Sequence, residues 1–166
     1  ETVYGLGADA FNKEAVAKIF EIKERPDFDP LIVHISKLKQ LEEVAYLRKK
    51  EIWRLVNNFW PGPLTFILPK KKKVPYVVTG GLDTVAVRMP ANIIALSLIQ
   101  ESKTPIAAPS ANLFGKLSPT TAEHVEKQLG KRIKIILDGG KTALGIESTI
   151  LLIDKKPKIL RLGSLS

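Results

Sequence analysis

The chain has 166 residues, enough for one domain with a full hydrophobic core, and a net charge of +9 from 26 basic and 17 acidic residues. It contains no cysteine, which excludes disulfides and zinc–thiolate sites and fits a reducing, cytoplasmic location. No apolar stretch approaches the roughly 18 residues of a membrane span, so no membrane partner is expected, whereas the positive charge favours phosphates or nucleic acid.

Helical and strand patterns alternate through the first part of the chain. Asn12 can cap a helix that runs to residue 20, and the β-branched run 31–35 is typical of a strand. Apolar residues at helical spacing predict one long helix over residues 38–58, and Trp-Pro-Gly-Pro at 60–63 ends it.

The rest of the chain continues this alternation with shorter strands. We predict strands at 64–68, 84–88, 105–108, 133–137, 149–153 and 158–160, and helices at 93–99 and 121–129. Helices interleaved with short apolar strands indicate a single α/β (α+β) sheet domain. No helical pattern separates the last three strands, so part of the sheet is expected to be antiparallel.

Two short polar motifs stand at or just past the ends of apolar elements. Lys23 and Arg25 are two residues apart and offer several N–H donors to one anion. Ser110 and Asn112 follow the apolar run 106–108 and offer neutral donors and acceptors. Together the motifs predict a phosphate-bearing small molecule held between two loops.

Two arginines end apolar strands, Arg88 after 85–87 and Arg161 after 159–160. Open α/β sheets bind ligands at such strand ends, and the planar guanidinium suits phosphate or carboxylate. A structural ion pair or a solvated arginine is the alternative at each position.

The chain lacks the motifs of several enzyme classes. There is no P-loop, and Gly5-x-Gly7 lacks the third glycine of a dinucleotide fingerprint. His34 sits in an apolar strand, where a hydrogen-bonded structural histidine is the default, and His124 lies on a helix face. Without a Ser-His-Asp spacing or a carboxylate cluster, a hydrolase or a metal-only enzyme is disfavoured.

The densest basic run is Lys70 to Lys73. We expect a mobile, solvated loop there, with contact to a polyanion as the alternative. A second interpretation of the positive charge is a non-catalytic module that binds tRNA or double-stranded RNA. Aromatic residues do not interleave with the basic stretches, which weakens this interpretation for single strands.

Seven motifs, in order along nearly the whole chain, carry a family resemblance. They read ETVYGLG at 1–7, KERP at 23–26, WPGPLT at 60–65, VRMP at 87–90, PSAN at 109–112, DGG at 138–140 and ESTI at 147–150. In this order they resemble the YrdC-like domain of L-threonylcarbamoyladenylate synthases. The resemblance implies a single-domain fold in which a twisted mixed parallel and antiparallel sheet is flanked by helices around a positively charged cleft.

The resemblance also implies a reaction. Such enzymes combine L-threonine, bicarbonate and ATP into threonylcarbamoyl-AMP and pyrophosphate, and a downstream tRNA threonylcarbamoyl-transferase complex uses the product to modify adenosine 37 of tRNA. Mg²⁺ would accompany the ATP, with no metal ligand from protein side chains. The family pattern usually opens before Glu1, and longer relatives carry a second domain, so we expect residues 1–166 to be one YrdC-like part of a longer protein.

The site residues implied by the resemblance form two sets. Threonine would be held by Thr2, His34, Arg88, Ala108 and Ser148. ATP would lie against Lys23, Arg25, Asp29, Thr84, Ser110, Asn112, Ser118 and Arg161. The catalytic groups would be Lys23, Arg25, Arg88 and Arg161, since fixed cations stabilise charge that grows on phosphate oxygens.

The sequence departs from the family pattern at two places, and this weakens the assignment of the site roles that the resemblance implies. Asp29 stands where the family often has Asn, and an acid beside ATP phosphates is unfavourable. Ala91 and Asn92 replace a common Asn-His pair. A rival within enzymes is the related carbamoyltransferase domain of hydrogenase maturation, which is embedded in a much larger chain.

Overall fold

Strands and helices alternate along residues 1–47, 50–153 and 156–165, which the computed structural model describes. The strands are β1 (Ala8–Asp9), β2 (Ile32–His34), β3 (Leu64–Pro69), β4 (Thr84–Arg88), β5 (Ile106–Ala107), β6 (Thr149–Leu152) and β7 (Lys158–Arg161). The helices are α1 (Lys13–Lys23), α2 (Leu38–Val44), α3 (Glu51–Phe59), α4 (Tyr76–Thr79), α5 (Ile93–Glu101) and α6 (Ala122–Leu129). No helix in these ranges is long and apolar enough to cross a membrane.

The strands form one mixed sheet in the order β1-β5-β2-β4-β3-β6-β7. β2 runs parallel to β4 and β3 runs parallel to β6, while the other pairs are antiparallel. Because β3 is antiparallel to β4, the carboxyl ends of β2 and β4 meet the amino ends of β3 and β6 at one edge. The expected mixed sheet with flanking helices is therefore confirmed.

Side-chain alternation along β4 separates the core from the opposite face of the sheet. Val85 and Val87 are buried in the main hydrophobic core, which includes residues of helices α1 to α4. Thr84, Ala86 and Arg88 lie on the other face. The sheet therefore offers one face to the core and the other to a binding site.

The start of α1 follows the predicted capping chemistry. Asn12 Oδ1 accepts a hydrogen bond from the Ala15 amide at 3.0 Å, and Thr121 caps α6 through its hydroxyl. Helix α1 continues three residues beyond the predicted end at residue 20, so Lys23 belongs to its last turn.

The single helix predicted over 38–58 is wrong, because α2 and α3 are separate. Ala45 is extended, with φ −139° and ψ 157°, and forms an antiparallel bridge with Lys70. The Tyr46 amide donates to the Pro69 carbonyl at 2.8 Å. The chain therefore pairs with the end of β3 instead of continuing the helix; positions 48 and 49 lie outside the described residues.

The strand predicted over 133–137 is also wrong. Within the described part of the chain, these residues pair with no strand. Ile133 and Ile136 pack instead beside Val125 and Leu129 of α6 in a second apolar cluster. Their apolar side chains thus pack against a helix. The short elements β1 and α4 were not predicted, because two to four residues carry too little periodicity.

The basic run 70–73 is attached to the fold. The ammonium groups of Lys70, Lys71 and Lys73 lie 3.9, 3.9 and 4.0 Å from the ring centroids of Tyr76, Tyr46 and Phe11, respectively. Cation–π contacts of this kind hold the side chains against the surface. The Lys73 side chain is still 55% exposed, so the expected mobile, solvated loop and the alternative polyanion contact both stay predictions.

Candidate functional site

A cavity of about 600 Å³ opens over the face of the sheet opposite the main core. Its floor includes Ile32, Ala86 and Ile67, which are neighbours in register on β2, β4 and β3. Its walls come from segments at 1–7, 90–99 and 137–148. This size falls in the range of small-molecule sites.

Nine of the thirteen predicted site residues line the cavity. They are Thr2, Arg25, Asp29, His34, Arg88, Ala108, Ser110, Ser148 and Arg161. Lys23, Thr84, Asn112 and Ser118 do not line it. The fold thus brings together residues of both predicted binding sets.

Arg88 is buried at the edge where β2 and β4 end. Its Nε donates to the Gly62 carbonyl at 3.0 Å, and its Nη1 donates to the Thr2 hydroxyl at 2.9 Å. Its Nη2 forms an ion pair with the Glu1 carboxylate. Burial lowers the pKa of Arg88, partly offset by the charge of Glu1. The guanidinium is therefore held in one orientation at the cavity surface.

His34 is the register partner of Arg88 on the adjacent parallel strand. Its Nδ1 atom is buried and has no hydrogen-bond partner among the described residues. Burial, and then the charge of Arg88, lowers the pKa of His34 to about 3. The imidazole is therefore neutral at neutral pH.

Ser148 and Arg161 form a second polar group beside the first. Arg161 donates through Nε to the Ser148 carbonyl at 3.0 Å and through Nη2 to the Ser148 hydroxyl at 3.2 Å. The hydroxyl of Thr65 lies 2.7 Å from the same Ser148 oxygen. Thr65 was not predicted as a site residue, although it ends one of the seven motifs.

Arg25 and Asp29 are paired at the cavity rim. Arg25 Nη2 lies 2.8 Å from the Asp29 carboxylate and 3.2 Å from the Pro30 carbonyl. The guanidinium also lies 5.9 Å from the centroid of the Phe114 ring. The acid that departs from the family pattern thus faces the arginine predicted to bind phosphate, and partly neutralises it.

Lys23 does not line the cavity and instead contacts the loop that carries Ser110. Its buried Nζ donates to the Ser110 carbonyl at 2.5 Å and to the Asn112 carbonyl. Burial, and then the charge of Arg25, lowers the pKa of Lys23 to about 8. The Asn112 amide in turn donates to the carbonyls of Leu113 and Lys116, both at 2.8 Å. Both residues therefore shape the loop that presents Ser110.

Ser118 and Thr84 lie away from the cavity surface. The Ser118 hydroxyl donates to the carboxylate of Glu147, a cavity-lining residue. Thr84 is at the start of β4, opposite Pro69 and four residues from Arg88. Their predicted contacts with ATP stay predictions.

Two further lining residues escaped sequence reasoning. The Tyr4 hydroxyl donates to the Gly140 carbonyl at 2.7 Å and accepts from the Gly139 amide at 3.1 Å, which ties two of the seven motifs together. Thr142 has a buried hydroxyl without a hydrogen-bond partner in the described ranges. The motif at 1–7, which contains Tyr4, and the motif at 138–140, which is near Thr142, were the available signals.

The charges around the cavity nearly balance. The described lining residues include four basic ones, Arg25, Arg88, Lys141 and Arg161, and three acidic ones, Glu1, Asp29 and Glu147. The local excess is thus one charge, so most of the net charge of +9 lies elsewhere. A strongly positive cleft is not evident from these side chains.

Known proteins resemble this chain over almost its full length. The family model for Sua5, YciO and YrdC, described as "Telomere recombination", matches residues 1–163. The threonylcarbamoyl-AMP synthase of Pyrococcus abyssi is 55% identical over 166 residues, which cover 99% of this chain and 49% of that protein. The Bacillus subtilis protein of the same name is 54% identical over 168 residues, covering 100% of this chain and 49% of its own length.

A solved structure extends the likeness to three dimensions. The crystal structure of P. abyssi Sua5 complexed with L-threonine gives a TM-score of 0.97 at 55% identity and covers 98% of this chain and 48% of that chain. The present chain spans about half the length of the curated relatives named above.

Proposed function

The chain belongs to the Sua5, YciO and YrdC family, and on that premise we propose that it makes L-threonylcarbamoyl-AMP. The substrates are L-threonine, bicarbonate and ATP, and the by-products are pyrophosphate and water. The product serves the threonylcarbamoylation of adenosine 37 in tRNA. The family resemblance drawn from the seven motifs is confirmed.

One observation carries the proposal. Thr2, His34, Arg88 and Ser148 converge on one cavity, in a fold that superposes on a relative solved with L-threonine. The buried Arg88 guanidinium contacts the Thr2 hydroxyl and already pairs with the Glu1 carboxylate, and a substrate carboxylate would accept charge-assisted hydrogen bonds of the same kind. We assign the amino acid to this part of the cavity.

The first chemical step joins the amine of threonine to the carbon of bicarbonate. A C–N bond forms, water leaves, and the amine becomes a carbamate with a negatively charged oxygen. His34 is neutral beside this position because of its lowered pKa. It therefore adds no cation to repel an ammonium and no acid to protonate the carbamate.

The second step moves the adenylyl group. A carbamate oxygen attacks the α-phosphorus of ATP, and the bond to the β-phosphate oxygen breaks to release pyrophosphate. Arg25 and Arg161 line the cavity and donate to phosphate oxygens, whose charge grows in the transition state. The reaction needs positioning of the two reactants more than a dedicated base.

Mg²⁺ belongs with the nucleotide in this scheme. Within the described residues, no group of three or more His, Cys, Asp or Glu side chains could hold a metal ion. The cavity carboxylates of Asp29 and Glu147 face Arg25 and the Ser118 hydroxyl. These residues do not form a metal site, so no protein group is assigned to the metal and no step passes through it.

The partners beyond the small molecules are proposals as well. We propose tRNA as the final acceptor, a downstream transferase complex as the consumer of the adenylate, and the cytoplasm as the location. Threonylcarbamoyl-AMP is a reactive mixed anhydride, so a transferase that captures it promptly limits hydrolysis.

The decisive experiment measures pyrophosphate release by the purified protein. Release should require ATP, L-threonine and bicarbonate together, and should disappear when either threonine or bicarbonate is omitted. Protein that binds tRNA but releases no pyrophosphate with all three substrates would overturn the synthase and favour the nucleic-acid-binding alternative.

A further inference from the structure

Thr65 lies directly beneath Ser148 on the neighbouring strand. Its side chain is fully buried, and its hydroxyl oxygen is 2.7 Å from the Ser148 hydroxyl oxygen. Arg161 Nη2 is 3.2 Å from that same Ser148 oxygen. The Ser148 hydroxyl is thus contacted by Arg161, which also lines the cavity, and by Thr65, which does not.

The direction of the Thr65–Ser148 hydrogen bond follows from counting donors. A hydroxyl carries one hydrogen and two acceptor positions. Within the described residues, the Thr65 hydroxyl has no hydrogen-bond partner except Ser148. If Ser148 donated, the Thr65 hydrogen would be buried without an acceptor, at a cost of about 1–3 kcal/mol. Ser148 lines the cavity, where solvent or a ligand can accept its hydrogen, and Thr65 does not, so we assign Thr65 as the donor.

With Thr65 as the donor, the Ser148 hydroxyl can act toward a ligand only as a hydrogen-bond donor. Its oxygen accepts from Thr65 and from Arg161, so both acceptor positions are occupied. Its own hydrogen has no acceptor among the described residues, and Ser148 lines the cavity. The free hydrogen therefore points toward a ligand.

We infer that Thr65 is a positioning residue that fixes the Ser148 hydroxyl as a hydrogen-bond donor to an anionic group of the substrate, the carboxylate of the amino acid. The inference rests on the proposed function for the identity of that substrate. Thr65 itself does not line the cavity and acts through Ser148.

The backbone around Ser148 is held independently of Thr65. Arg161 Nε donates to the Ser148 carbonyl, and the Gly163 and Leu165 amides donate to the Thr149 hydroxyl at 3.1 and 3.2 Å. A Cβ at Gly163 would meet the Glu147 carbonyl oxygen at 2.3 Å, so only glycine permits this close approach. Removing the Thr65 hydroxyl should consequently change the Ser148 proton and leave its backbone in place.

The test compares Thr65→Val with Thr65→Ser in the pyrophosphate-release assay. Valine keeps the shape of the side chain and removes the donor, so the Ser148 hydrogen is free to turn away from the ligand. We expect KM for L-threonine to rise about tenfold with kcat within about threefold of the parent, the pattern of lost binding. Thr65→Ser restores the donor and should restore KM.

A buried threonine elsewhere supplies the matched control. Thr79 is buried in α4, and its hydroxyl donates to the Leu82 carbonyl at 2.8 Å, away from the cavity. Thr79→Val should leave KM for L-threonine unchanged, whatever it does to stability. If Thr65→Val does not fold, as judged by circular dichroism, Thr65→Ala replaces it.

A double-mutant cycle separates action through Ser148 from a general packing effect. In a Ser148→Ala background, Thr65→Val should change threonine affinity, measured by calorimetry, by less than about twofold. Additive effects, or a parental KM in Thr65→Val, would overturn the inference while the parent still releases pyrophosphate. A parent that neither binds L-threonine nor releases pyrophosphate would overturn the proposed function and the inference with it.

Discussion

The Nζ atom of Lys23 lies 2.5 Å from the carbonyl oxygen of Ser110 and donates to it, so the two predicted phosphate-binding motifs are joined by a direct hydrogen bond. A second bond reaches the Asn112 carbonyl. Lys23 thereby holds the second loop in place, while Arg25 and Ser110 face the cavity.

Replacing Lys23 by Met should lower the free energy of unfolding by about 1–3 kcal/mol, because two backbone carbonyls lose their buried donor. Denaturant unfolding measures this change. Lys18→Met, at an exposed position of the same helix, is the control and should stay near the parent. A Lys23→Met protein with parental stability and no turnover would instead indicate direct contact with ATP.

Arg25→Ala and Arg161→Ala should each lower the rate of pyrophosphate release at least about tenfold, because each removes a cavity-lining cation that we propose donates to phosphate oxygens. Steady-state kinetics at saturating substrate provide the measurement. Arg54→Ala, on the exposed face of α3, should keep the parental rate. Near-parental turnover in either cavity variant would reject its phosphate role.

Asp29→Asn should lower KM for ATP by about two- to fivefold, in line with the small free energy of a partly exposed ion pair. The Asp29 carboxylate lies 2.8 Å from Arg25 and would compete with the phosphate that we propose for the same guanidinium, and asparagine would remove that competition. Asp27→Asn, an exposed neighbour, controls for the general change in charge. A higher KM in Asp29→Asn would show that the acid contacts the nucleotide itself.

Stability should fall on acidification through His34, whose pKa is lowered from 6.5 to about 3 by burial and by Arg88. As pH falls, His34 binds a proton in the unfolded chain but not in the folded protein. The free energy of unfolding present above pH 6.5 is therefore lost progressively as pH falls toward 3. One proton contributes a slope of up to about 1.4 kcal/mol per pH unit. Urea unfolding at several pH values should show a shallower slope in His34→Asn.

The matched control for that series is His124→Asn, because His124 lies on an exposed helix face. It should keep the slope of the parent between pH 6.5 and 4. Parallel curves for His34→Asn and the parent would mean that His34 is protonated in the folded state.

The local parts of the fold could be predicted from the sequence. Strand β4 has the predicted bounds, and the cap at Asn12 follows from side-chain chemistry. The break after α2 could not be predicted, because Ala45 leaves the helix to pair with Lys70, a partner distant in sequence. Periodicity describes only neighbours along the chain, and the bridge overrides it.

The site was predictable to the extent that motifs mark cavity-lining residues. Arg88 and Ser148 fall where the resemblance implies, on one cavity surface. Lys23 and Thr65 show the limit, since each contacts a residue more than eighty positions away. Whether such a side chain meets the ligand or supports another residue is decided by tertiary contacts that no local pattern encodes.

The parallel pairing of β3 with β6 has a consequence for synthesis on the ribosome. Thr65 and Ser148 are 83 positions apart, so β3 emerges and can pair with β4 long before its second partner exists. During that interval one edge of β3 is open, and open edges of apolar strands invite pairing with other chains. During synthesis, most residues of the main core are therefore present before the cavity residues at 147–161.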